Sequence, residues 1–375
     1  MHTFLFSLLL LTATLAAASL PTPPAPQLDA RAWLLTDMLS GQVLAEKSAD
    51  ARGEPASLTK LMTAYLVFTA LKEGRLSPEQ VLPVSERAWR AEGSRMFLDP
   101  RRPARVEELL KGMIVQSGND ASIVLAEALG GSEQGFAAMM NEMARRLGMS
   151  NSHFVNATGL PHPQHYSSAR DLARLTAALI RDYPQYYRYY ALKEYTYNGI
   201  TQGNRNRLLW LDPHVDGVKT GHTASAGYCL IASARRGERR LVSVVLGAPS
   251  EDARASESLR LLNYGFQAFD TVRLYRGREP VARVRLYKGT EDTVGIGFMR
   301  DLYVTVPRGS AGRIQAQMIT RQPLVAPVSS GQSLGTLRLL LDGRTVGEYP
   351  LQALSAVPAA GWFGRLWDGL LLWLK

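Results

Sequence analysis

Asp216-Gly-Val-Lys-Thr-Gly-His-Thr223, followed by Tyr228-Cys-Leu-Ile-Ala-Ser-Ala234 and Leu241-Val-Ser-Val-Val-Leu246, is the stretch on which the fold turns. The second and third runs are short, apolar and β-branched, and the polar segment Arg235 to Arg240 joins them. That pattern predicts an antiparallel hairpin. The run before it predicts a third strand in the same sheet. A helical pattern over about 252–269 closes this part of the chain. Far upstream, Ala32-Trp-Leu-Leu35, a turn at Leu39-Ser-Gly41 and Gln42 to Ala45 predict another hairpin. Between the two hairpins the apolar period is helical: Leu58, Leu61, Met62, Tyr65 and Leu66 after Ser57, then about 106–115, 121–129, 136–147 and 169–180. A loop-rich stretch separates Ser150 from Ser168. Strands, then helices, then strands and a helix predict an antiparallel sheet with helices packed around it, in the α/β or α+β class.

The ends differ from this body. From Asp270 the segments shorten and alternate, with Gly and Pro between them, which predicts a small all-β domain over 269–355 after a first domain over 28–268. Residues 1–18 read as a signal peptide, with an apolar run from Phe4 to Leu15 and small residues at Ala16-Ala-Ala18. A Pro-rich linker, Pro21 to Pro26, follows. Over 360–375, Trp362, Phe363, Leu366, Trp367, Leu370, Leu371 and Leu374 recur at helical spacing. The predicted element is an amphipathic helix from Trp362 to Lys375 lying on a membrane surface, too short to cross it.

Composition narrows the function. The 375 residues carry a net charge of +10, with 46% hydrophobic and 20% charged residues, so the chain is globular. Its Lys and Arg are scattered rather than clustered with aromatics, which argues against nucleic acid. One cysteine, Cys229 in an apolar strand, forbids an intrachain disulfide and a Cys-based metal site. The six histidines show no HExxH spacing, so neither a metal nor a cofactor is expected.

Three short motifs carry the chemistry. In Ser57-Leu-Thr-Lys60, positions i and i+3 share one helix face, so an amine can take the proton from a hydroxyl that is otherwise a poor nucleophile. The amine must lose its charge first, through burial and nearby cations, of which Lys219 is a candidate. In Ser117-Gly-Asn119, a break between helices points two polar side chains into a cleft. Ser117 can relay a proton to the leaving amine, and Asn119 can hold the substrate amide and position Lys60. In Lys219-Thr-Gly221, the glycine lets a substrate backbone approach the strand. Lys219 and Thr220 suit a substrate carboxylate, and the backbone amides of Ser57 and His222 suit an oxyanion.

With Pro55-Ala-Ser-Leu-Thr-Lys60, Gln116-Ser-Gly-Asn-Asp-Ala121, Gly217-Val-Lys-Thr-Gly-His-Thr223, Tyr166-Ser-Ser-Ala-Arg-Asp171 and Asn156-Ala-Thr-Gly-Leu160, the chain resembles the low-molecular-mass penicillin-binding proteins of the D-alanyl-D-alanine carboxypeptidase family. The resemblance implies a β-lactamase/transpeptidase-like domain, a β-sandwich stalk and a C-terminal amphipathic anchor. It implies Ser57 as the acylated residue, Lys60 as proton acceptor, Ser117 and Asn119 as the second motif, and Lys219, Thr220, Gly221 and His222 as the third. It also implies Arg254 as support for the terminal carboxylate, a peptidoglycan pentapeptide as substrate, β-lactams as inhibitors, and a periplasmic location. Thr158 stands where some members have a histidine, which bears on deacylation. The rival readings are a β-lactamase, a DD-endopeptidase and a non-catalytic wall-binding module. Glu127, Glu133, Glu142 and Glu194 lack the ExxLN-like context of a β-lactamase's deacylating glutamate.

Overall fold

The computed structural model describes residues 23–320 and 322–361. The signal peptide expected over 1–18 and the helix expected from Trp362 to Lys375 lie outside the described residues. The chain divides into two compact units: residues 24–274 with 302–305, and residues 275–301 with the chain from 306 onward.

A five-stranded antiparallel sheet organises the first unit. Its strands are β1 (Ala32–Asp37), β2 (Val43–Lys47), β3 (Val215–Thr223), β4 (Gly227–Arg236) and β5 (Arg239–Ala248), in the order β2-β1-β5-β4-β3. The expected third strand is therefore β3, at the sheet's edge. The turn between β4 and β5 is tighter than the Arg235–Arg240 segment read from sequence, because both strands run on to Arg236 and Arg239.

Alternation builds two cores from this one sheet. Leu34, Ile231, Val242 and Val244 point into the larger helical core, together with the free thiol of Cys229. Trp33, Leu35, Leu230, Ala232, Leu241 and Val245 point the other way, against Leu261 and Leu262 of the helix Glu251–Ala268. Each fully buried apolar side chain of this kind contributes about 1.5–3 kcal/mol.

On the larger side lie α1 (Lys60–Lys72), α2 (Val106–Val115), α3 (Asn119–Gly130), α4 (Glu133–Arg146) and α5 (Ala169–Asp182). The helix Glu251–Ala268, on the other side, is α6. Ser132, Ser168 and Ser250 each accept the backbone N–H of the third residue of the helix they precede, which sets where α4, α5 and α6 begin. Ser57 itself is not in α1. It lies in a single 3₁₀ turn, Ala56–Thr59, that leads into the helix. In such a turn positions i and i+3 eclipse, which brings a Ser-x-x-Lys pair closer than an α-helix does.

Two pieces from beyond the expected boundary at 268 pack with the first unit. The buried Asp37 carboxylate accepts from Thr271 Oγ1 at 2.6 Å, and the Thr305 N–H donates to Gln42 at 2.6 Å. The second unit is built on a six-stranded sheet that includes Pro280–Tyr287, Thr293–Gly297, Ser333–Leu341 and Arg344–Ala353, antiparallel except for one short parallel pairing. This is the all-β domain read from the sequence.

Candidate active site

Lys60 is the centre of the site. Its side chain is 1% exposed, and Nζ lies 3.0 Å from Ser57 Oγ, 2.7 Å from Asn119 Oδ1 and 2.6 Å from the Thr158 carbonyl oxygen. Burial, with the Arg205 guanidinium as a further cause, pushes its pKa down to about 7, while Asp120 acts weakly in the other direction. An uncharged amine has two hydrogens and one lone pair. Asn119 Oδ1 and Thr158 O are acceptors only, so they take both hydrogens and leave the lone pair for the Ser57 hydroxyl. The surroundings thus both discharge the amine and aim it.

Several close fits hold this geometry. Ala56, just before the nucleophile, has φ 47°, a left-handed conformation that side chains other than glycine rarely adopt. Its carbonyl presses on Gly159, where any Cβ would lie 1.8 Å from the Ala56 oxygen. Gly221 faces the same turn: a Cβ there would sit 3.0 Å from Pro55 O and 3.3 Å from Ala56 Cβ. The glycine of the third motif therefore lets the nucleophile turn approach β3. This is a second reason for it beside the substrate approach read from sequence.

Ser117 also has a left-handed backbone, with φ 70°, and its buried hydroxyl has no hydrogen-bond partner among the described residues. A buried polar group left unpaired costs about 1–3 kcal/mol, so such a site is kept where something else needs the group. Asn119 is fixed three ways, with its Nδ2 donating to Glu92 O at 2.6 Å, its N–H to Ser94 O at 2.7 Å, and its Oδ1 on Lys60.

Lys219, Thr220 and Gly221 are buried on β3, the free edge of the sheet. The Lys219 amine donates to Thr220 O at 3.2 Å, and burial, then the charges of Lys60, Arg205 and Arg254, hold its pKa well below the ordinary lysine value. Lys60 and Lys219 thus each disfavour the other's charge, and Arg205 is a further cation that acts on both. Arg254 is buried, with Nη2 on Glu251 at 2.6 Å and Nη1 3.5 Å from Gly221 O. It lies over the Tyr228 ring, which in turn stacks on the exposed His222 at 4.1 Å between centroids. Thr158 meets Lys60 through its backbone carbonyl, and its hydroxyl turns to Asn156 Oδ1 at 3.2 Å. Exchanging a histidine for threonine here leaves the contact with Lys60 intact.

The sequence reading missed Arg205. It is exposed, has no hydrogen-bond or ion-pair partner among the described residues, and bears on Lys60, Lys219 and Arg254 alike. The turn that carries it is bolted on both sides: Asn204 Nδ2 donates to Leu192 O and Asn206 Nδ2 to Gly217 O, both at 2.9 Å. Asn-x-Asn before a strand is an Asx-turn signal, though it says nothing about what the middle residue faces. None of the four glutamates weighed as deacylating groups bonds to Ser57 or Lys60. Glu127 accepts from Ser85, Glu133 from the Ala157 N–H and from Arg87, Glu142 pairs with Arg146, and Glu194 is exposed. A separate hollow of about 380 Å³ between β1 and α5 contains none of the site residues, and its Arg170, Arg174 and Arg181 are already paired.

Residues 19–250 match the family model described as D-alanyl-D-alanine carboxypeptidase, and residues 269–359 match that of the penicillin-binding protein 5 C-terminal domain. The chain is 42% identical over 372 residues to the D-alanyl-D-alanine carboxypeptidase DacC of Escherichia coli, covering 97% of this chain and 93% of that protein. Penicillin-binding protein 5 from Haemophilus influenzae superposes with a TM-score of 0.87 at 39% identity, over 89% of this chain and 99% of that one. Penicillin-binding protein D2 from Listeria monocytogenes, solved in an ampicillin-bound form, superposes with a TM-score of 0.60 at 33% identity, over 65% of this chain and all of that one.

Proposed function

This chain belongs to the D-alanyl-D-alanine carboxypeptidase family, and from that premise we propose that Ser57 is the residue its substrates acylate. The protein is a serine-type D-Ala-D-Ala carboxypeptidase that removes the terminal D-alanine from peptidoglycan pentapeptides and binds β-lactams. The observation that carries the assignment of Ser57 is the buried, lowered-pKa Lys60 amine 3.0 Å from its hydroxyl.

Ser57 Oγ attacks the carbonyl of the penultimate D-alanine while its proton passes to Lys60 Nζ. The backbone amides of Ser57 and His222 hold the oxyanion. Asn119 holds the substrate amide, and Lys219, Thr220 and Arg254 hold the terminal carboxylate, an arrangement supported by their place on and behind the free edge of β3. Ser117 passes the proton from Lys60 to the leaving amine, which frees D-alanine and leaves an ester on Ser57. Water then cleaves the ester. The unpartnered Ser117 hydroxyl supports the relay.

A β-lactamase shares the three motifs, and turnover separates the two. With pentapeptide the protein is expected to release D-alanine continuously, while penicillin leaves a long-lived acyl-enzyme. Penicillin hydrolysis at about 10² per second, well inside the usual enzyme range, would instead favour the β-lactamase.

The finer location is also a proposal: a periplasmic enzyme exported by residues 1–18 and held to the membrane surface by Trp362–Lys375. The spacing of Trp362, Trp367, Leu370, Leu371 and Leu374 supports it. No helix among the described residues is long and apolar enough to cross a membrane. Removing 362–375 is expected to shift the protein from the vesicle pellet to the supernatant in co-sedimentation with anionic vesicles, with D-alanine release unchanged. Continued sedimentation would rule the anchor out.

A further inference from the structure

Phe97 is an oddity beside the second motif. Its φ is 66°, a left-handed backbone that a bulky residue rarely adopts, and the residue is 46% exposed. The amides on either side of it, Met96 N and Leu98 N, both donate to the buried Asp120 carboxylate, at 3.0 and 3.1 Å. Asp120 directly follows Asn119, and Asn119 in turn bonds Glu92 and Ser94 at the start of the same loop. The loop that presents Phe97 is therefore fastened to the Asn119 wall of the site. Burial does not explain the strain, because the ring faces out.

The ring carries a load. The Arg95 guanidinium lies over it, 5.6 Å from the centroid, and Gln202 Nε2 donates to the Arg95 carbonyl at 3.3 Å. Arg95 and Phe97 line a hollow of about 530 Å³ with Trp89, Pro100 and Arg101. Its other charges are committed: Glu86 pairs with Arg90, Asp99 with Arg101, and Asp120 holds its amides. Arg95 has no acid partner among the described residues. What the hollow offers is one uncommitted guanidinium, steadied on an aromatic face.

We propose that this Arg95–Phe97 shelf is an acyl-side subsite that binds a carboxylate on the substrate peptide upstream of the scissile D-Ala-D-Ala bond. The placement deepens the reading of Ser57 given above and rests on it. The leaving D-alanine lies on the Lys219–Thr220–Arg254 side, so the acyl half runs past Asn119, and the wall beyond Asn119 is this loop. A planar fork that is already stacked loses little freedom when it takes a carboxylate.

The test compares acetyl-Glu-Glu-D-Ala-D-Ala with acetyl-Gln-Gln-D-Ala-D-Ala, read as the ratio of their kcat/KM values. The full-length protein is expected to favour the acidic peptide by about five-fold at low salt, the size of an exposed ion pair. Raising the salt to about 0.5 M is expected to abolish the preference. Arg95→Ala should bring the ratio to about one, and Arg95→Lys should keep part of it. Phe97→Gly should lower the ratio without lowering the thermal midpoint, because glycine is at ease at this φ; a purely structural Phe97 would do the reverse. No preference in the wild type, or a preference that survives in Arg95→Ala, would overturn the subsite while leaving Ser57 untouched. Cleavage of neither peptide would overturn both.

Discussion

Ser57→Ala is expected to lower D-alanine release from pentapeptide by at least about 10⁴-fold, with the protein folded as before. Removing the nucleophile of a serine hydrolase removes the covalent route altogether, and what remains is whatever the oxyanion site and binding contribute on their own. Folding should not suffer. Ser57 is only partly buried, and its hydroxyl contact is one of three made by Lys60, whose amine keeps Asn119 and Thr158. The measurement pairs D-alanine release with a thermal melt. Residual release within about ten-fold of wild type would move the nucleophile elsewhere.

The second large effect concerns Lys60. Lys60→Arg keeps a cation but cannot serve as a base at any accessible pH, so acylation is expected to fall by about 10³-fold, within the range that general bases contribute. The pH dependence should change with it. In the wild type the useful form is the uncharged amine, whose fraction rises as pH rises through about 7. Acylation should therefore climb below that pH and level off above it, and Lys60→Arg should lose the climb. Arg205→Ala sharpens the sign. Taking away a nearby cation makes the charged amine more comfortable, so the Lys60 pKa rises and the climb moves to higher pH, with a loss at pH 6 that recovers at pH 8. A climb that stays in place in Arg205→Ala would remove that arginine from the base's surroundings.

Much of this molecule was legible because the signals are local. The runs Tyr228–Ala234 and Leu241–Leu246 read as strands since their alternation serves two cores at once, and 106–115 read as a helix over the bounds α2 has. Ser57-x-x-Lys60 could be placed because three residues of spacing fix a face. The hairpin Glu194–Gly203 was overlooked, although its Asn198-Gly199 turn, with both φ values positive, is a strong hairpin signal. Other features had no sequence signal. The contact of Lys60 with Thr158 is to a backbone oxygen, which no residue type announces. Arg205 reaches the site through turn geometry, and Phe97 through a carboxylate more than twenty positions away. That Arg205 joins Lys219 among the cations around Lys60 is likewise a matter of three-dimensional surroundings.

The most direct test is the intact mass of the folded protein after exposure to benzylpenicillin, followed by peptide mapping. A single adduct on the peptide carrying Ser57, absent from Ser57→Ala and formed faster as pH rises through about 7, is the predicted result. A folded wild-type protein with no adduct, or with one on another residue, would contradict it.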